Sequence, residues 1–186
     1  MIRKFAIASS LVLIMANLAG CAGPVKDDKA ADFVQKASVA NLFEIKTSEL
    51  ALQRAVNPDV KAFAQQMITD HTRAGADLKA AVDTEHSQLG LATALDDTHQ
   101  KMLEDLTAAS PDTFDDKYID IQTQAHDEAL SIFKDYADGG KDRAVRQFAA
   151  TTLPVLQAHK DHVKMVDDAT HAGETDASAA ADHSSM

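Results

Sequence analysis

The chain has 186 residues, 45% hydrophobic and 25% charged, with a formal net charge of −11, one cysteine and no tryptophan. A chain this acidic lacks the basic footprint that phosphate backbones require, so nucleic acid is excluded as an expected partner. A single cysteine also excludes an internal disulfide and any site built from several thiolates.

The first segment reads as a leader rather than as part of a fold. Arg3 and Lys4 precede the apolar run FAIASSLVLIMA, and the segment closes on LAGC, Leu18 to Cys21. The apolar run is too short to span a bilayer and has the grammar of a secretory signal. LAGC resembles a bacterial lipobox, in which the cysteine is lipidated and becomes the mature N-terminus. Residues 1–20 are therefore expected to be a lipoprotein signal peptide, with Cys21 as the lipidation site. Ala22 after it implies sorting to the outer membrane, facing the periplasm. The protein is then anchored to the membrane rather than spanning it. Removal of Arg3 and Lys4 takes the formal charge from −11 to −13.

Residues 21–31 form a polar linker, and residues 32–168 carry helical periodicity throughout, with no strand-like alternation. A first helix is expected from Ala31 to Val56, with Phe33, Ala37, Ala40, Glu44, Ala51 and Ala55 on one stripe. Asn57-Pro58 ends it and caps the next helix. That helix aligns Val60, Ala64, Met67, His71, Gly75, Leu78 and Val82. A short helix from Asp96 to Leu106 carries His99, Met102 and Leu103.

Ser110-Pro111 opens a third long helix whose inward face holds Phe114, Tyr118, Gln122, His126, Ala129 and Phe133. Gly139-Gly140 closes it. Asp142 caps a last helix with Val145, Phe148, Thr152, Leu156, His159 and Val163 inside, and Pro154 predicts a kink there. Residues 169–186, rich in Ala, Ser and Asp, are expected to be a disordered tail. Two tight hairpins joined by a long middle connection describe an all-α, ferritin-like four-helix bundle with a single crossover.

The stretch ELALQRAVNPDVKAFAQQMITDHTRAGADL, followed by FDDKYID, His126 and LPVLQAH, resembles the bacterial family called domain of unknown function 4142. The resemblance covers about Asp32 to Val166 and implies a ferritin-like fold in a secreted or lipidated protein, with no reaction attached. Glu44, Asp70, His71, Tyr118, His126, Pro154 and His159 stand at positions that match its motif. Asn41 and Ser48 stand where the family pattern implies small residues, often glycine.

Ferritin-like di-iron proteins use Glu-x-x-His pairs on two helices, and this chain has none. Its near misses are DTEH (Asp83, His86), DDTH (Asp96, His99) and HKDH (His159, His162). Two readings remain open. In one, imidazoles from different helices hold one zinc- or copper-class ion, with Glu44 as an oxygen ligand. In the other, the domain is a metal-free envelope interaction or stress-related module whose histidines are packed core residues.

In the first hairpin, helical rise brings an inward carboxylate level with an inward imidazole, a pair that either a metal or a direct Glu–His hydrogen bond would satisfy. Across Asn57, Glu44 lies thirteen residues back and His71 fourteen forward, so the two share one height. Counted from Gly140, His126 is fourteen back and His159 nineteen forward, a mismatch of roughly 7 Å at 1.5 Å per residue. Glu44, His71 and His126 are thus the expected ligand set, with His159 as its weaker member. His162, His171 and His183 read as solvated.

Overall fold

The computed structural model describes residues 28–85 and 89–182. The leader, Cys21, His86 and His183 lie outside the described residues. Five helices follow in order: α1 (Asp28–Arg54), α2 (Pro58–Glu85), α3 (Asp97–Thr107), α4 (Pro111–Gly139) and α5 (Arg143–Asp182). The described residues contain no strand. The four long helices form a ring in which α1 packs beside α2 and α4, and α5 beside α4 and α2; α3 leans on α1 and α4. This is the expected single-crossover, ferritin-like bundle. No helix among the described residues is long and apolar enough to cross a membrane.

Local chemistry fixes the helix ends. Asn57 accepts the Asp59 amide at 2.8 Å, and Asp142 accepts the Val145 amide at 3.0 Å; each satisfies a donor that the first helical turn leaves unpaired. Asp115, near the start of α4, accepts the Val56 and Asn57 amides at 3.0 and 2.6 Å, tying α4 to the α1–α2 turn. Arg54 donates to the carbonyls of Thr107 and Ala109 and stacks over Phe114 at 4.7 Å, which pins the end of α3. Gly140 adopts φ −65°, ψ 139° rather than a left-handed turn. Its small size serves a close approach instead, because a Cβ there would lie 2.6 Å from the Tyr136 ring.

Two boundaries differ from the sequence reading. Helix α1 starts at Asp28, inside the expected linker, because Ala30 is fully buried against the bundle. Helix α5 runs on through residues 169–182, where a disordered tail is expected. Alanine-rich sequence favours helix, and Thr170 accepts a hydrogen bond from Asn57 Nδ2 at 3.1 Å, docking that turn onto the α1–α2 corner. Helix α5 also passes through Pro154 without ending.

The core falls into two apolar clusters. One, around Phe43, Phe63, Met67, Leu106, Phe114, Tyr118 and Val163, fills the end of the bundle near the α1–α2 turn. The other, around Phe33, Val34, Leu78, Val82, Phe133, Phe148 and Leu156, fills the opposite end. A belt of buried polar side chains lies between them: Glu44, Thr47, Ser48, His71, Gln122, His126 and His159.

Candidate metal centre

Each helix brings a member to the belt through the same stripe that buries its apolar residues. His71 comes from α2, His126 from α4 and His159 from α5, and one ring nitrogen of each lies within 4.8 Å of the other two. All three rings are buried, with centroids 5.4 to 5.9 Å apart. His159 is therefore a full member of the cluster, not the weaker one. Counting from Gly140 overstated its mismatch. His126 lies thirteen residues before Gly139, the last helical residue of α4, and His159 sixteen after Arg143, the first of α5. The remaining three residues of rise, about 4.5 Å, are within the reach of two imidazole side chains.

The hydrogen bonds fix which nitrogen of each ring carries the proton. His126 Nδ1 lies 2.8 Å from the Gln122 carbonyl, which can only accept, so Nδ1 holds the hydrogen and Nε2 is bare. His159 Nε2 lies 2.9 Å from Asp70 Oδ2 and donates to it, which leaves Nδ1 bare. His71 Nδ1 faces Asn41 Oδ1 at 3.3 Å, and its Nε2 is buried with no hydrogen-bond partner. While both rings are neutral, the facing nitrogens of His126 and His159, 3.4 Å apart, have no hydrogen to share, and a proton on either one would bridge them. Two lone pairs at that distance repel unless a cation sits near both.

Nor is protonation a cheap remedy. Burial holds the His71 imidazole well below its ordinary range, and the neighbouring His126 and His159 push it the same way. Burial also lowers His159, opposed by the hydrogen bond to Asp70. Neutral imidazoles with their outer N–H groups tied to oxygen acceptors are the state in which histidines bind metals.

Glu44 lies behind this triad. Its Oε1 is 3.8 Å from His126 Nδ1, the nitrogen turned away from the other two rings, and its Oε2 is buried without a partner. Burial pushes its carboxyl up, opposed by His126 and then Gln122. The expected height match of Glu44 and His71 holds in so far as both line one small cavity. Around the helix axis, however, Glu44 turns toward α4. Height follows from residue counting, but each residue rotates a side chain by about 100°, and the α2-facing place on α1 belongs to Asn41.

Asn41 and Ser48, read as substitutes for small residues, thus carry contacts. Asn41 holds His71, and Gly75 makes room for it, since a Cβ there would come 2.9 Å from Asn41 Nδ2. Ser48 hydrogen-bonds the buried Tyr118 hydroxyl at 2.8 Å. Burial raises the Tyr118 phenol, opposed by Ser48.

Asp70, outside the expected ligand set, orients His159. It sits one position off the inward stripe of α2, half-buried, where it reaches α5. Gln66 donates to it at 3.3 Å and meets His162 Nδ1 at 2.9 Å, so His162 is anchored rather than free in solvent. The DDTH pair closes on itself at the start of α3, with His99 Nδ1 2.7 Å from Asp96, away from the triad.

Comparison with known proteins agrees with this architecture. No curated protein matches. Among solved structures, the chain resembles the crystal structure of a DUF305 fragment from Deinococcus radiodurans, with a TM-score of 0.63 at 12% identity, over 74% of this chain and 94% of that one. At that identity the likeness is one of fold. The model of a family described as domain of unknown function (DUF4142) matches residues 16–166, and the chain belongs to that family.

Proposed function

We propose that this domain binds one transition-metal ion of the zinc or copper class through His71, His126 and His159, in a protein held at the bacterial envelope by lipid on Cys21. The observation that carries the metal reading is the convergence of three bare, buried ring nitrogens whose outer N–H groups are each tied to oxygen. In a metal-free core with neutral rings those lone pairs go unpaired, and each unpaired buried acceptor costs about 1–3 kcal/mol. Imidazole suits zinc, copper, iron and nickel alike, so the donor set names a class rather than an element. Asn41, the Gln122 carbonyl and Asp70 orient the three rings, and the Glu44 carboxyl lies behind His126. The lipid anchor rests on the LAGC signal. The domain is a binding module in this reading, not a di-iron oxidase.

Metal analysis and thermal melting of the purified chain test the site. One ion per chain is expected. At a free concentration of about a hundred times Kd, it should add roughly 2.7 kcal/mol of stability. His71→Ala, His126→Ala and His159→Ala should each remove both binding and stabilisation, whereas His162→Ala and His183→Ala should keep them. Neither bound metal nor a thermal shift in the wild type would leave the domain as a metal-free interaction module.

A further inference from the structure

Three histidines occupy three positions of a tetrahedral ion and leave a fourth. A cavity of about 30 Å³ lies on the α1 side of the triad. His71 and His126 form part of its wall, together with Asn41, Glu44 and Thr152; the rest is apolar, including Leu78, Ala129, Phe133 and Leu156. His159 does not line it. An ion held by the three rings therefore adjoins, through His71 and His126, a small compartment between the helices.

The size and lining of that compartment select what it admits. A single water needs about 10–15 Å³, so the space accepts a molecule of two heavy atoms and rejects a peptide, a sugar or a nucleotide. Buried Glu44 at the wall is a poor neighbour for an anion, and the predominantly apolar lining gives a polar guest few hydrogen bonds. From these features we infer that the cavity is a ligand pocket for a neutral diatomic gas bound at the open position of the metal. The inference rests on the metal-binding reading above and narrows it, because such ligands need an electron-rich ion, which within that class is cuprous copper.

Carbon monoxide on the full chain, loaded anaerobically with cuprous copper, is the probe. Infrared spectroscopy should record one carbon monoxide per bound copper as a single narrow band. Ala129→Leu, one turn beyond His126 on α4, fills the pocket without removing a ligand. It should keep the copper stoichiometry and lose the band. Ala74→Leu, on a less buried wall position of α2, provides the same test should Ala129→Leu fail to fold. Copper bound without any carbon monoxide overturns the gas pocket while the metal site stands. Carbon monoxide bound equally by wild type and filled variants also overturns it, because the ligand then lies elsewhere. A wild-type chain that takes up no copper overturns the gas pocket, and a separate zinc-binding assay decides whether the metal site stands.

Discussion

His71→Leu separates a binding histidine from a structural one. In the metal-free protein His71 is 7% exposed, contributes one long hydrogen bond of 3.3 Å to Asn41, and leaves Nε2 buried without a partner. Leucine has similar volume and no polar atom. The substitution gives up the Asn41 bond, worth about 0.5–1.5 kcal/mol. Asn41 is only half-buried, so water can replace that partner. In return it removes an unsatisfied buried nitrogen that costs about 1–3 kcal/mol. The difference is a gain of about 1 kcal/mol, or roughly 2–4 °C in Tm for a domain of this size. Urea denaturation and thermal melts in the presence of a chelator measure it. A histidine kept for binding should thus make the apo domain less stable than its leucine variant, the usual cost of a functional site. A loss of 2 kcal/mol or more in His71→Leu would refute the reasoning and identify His71 as a core hydrogen-bonding residue.

Lowering the pH below 6.5 should destabilise the apo protein. His71 and His159 have folded-state values below the ordinary 6.5, so in that range the unfolded chain binds more protons and stability falls with pH. Each group contributes at most about 1.4 kcal/mol per pH unit. Glu44, raised above its ordinary 4.5, acts in the opposite direction, its contribution being full below 4.5 and lost as pH rises through its folded value. Two histidines against one carboxyl set the sign, and a chelated sample more stable at pH 5.5 than at 7.5 would contradict it. Phe63→Ala should cost about 3–5 kcal/mol, because Phe63 is 1% exposed and packs edge-on against Tyr118 and His162. A loss under about 1 kcal/mol in denaturant melts would mean that its site collapses. Cys21→Ser should move the protein from the membrane fraction to a soluble or uncleaved form; wild type that is already soluble, without lipid on its N-terminal peptide, would disprove the anchor.

Helical spacing was enough to place the bundle, its hairpins and the inward faces of His71, His126 and His159, because burial repeats every 3.6 residues whatever the neighbours are. Capping at Asn57 and Asp142 was equally readable, since a short side chain ahead of a helix has one local use. Relations across helices were not. Glu44 and His71 share a height, yet Asn41 meets His71 and Glu44 meets His126, a matter of rotation that no count along the chain supplies. Asp70 was singled out by the family resemblance, but its bond to His159 was not readable, because it lies off its own stripe and acts on α5. The extension of α5 was missed because a tail composition hides the contact from Thr170 to Asn57.

The polar belt between the two apolar clusters also governs how the helices align. Alanine-rich stripes are smooth, and a helix could slide along its neighbour by one turn, 5.4 Å, while still burying apolar surface. Such a slip would press Glu44 and the imidazoles against phenylalanine and leucine, stripping Tyr118 of Ser48 and His159 of Asp70. Only one axial alignment satisfies those groups together. The histidine layer is thereby a register pin, in the way a lone buried asparagine fixes the partners of a coiled coil. Variants that replace the three histidines together with leucine should lose the single alignment that the wild type holds.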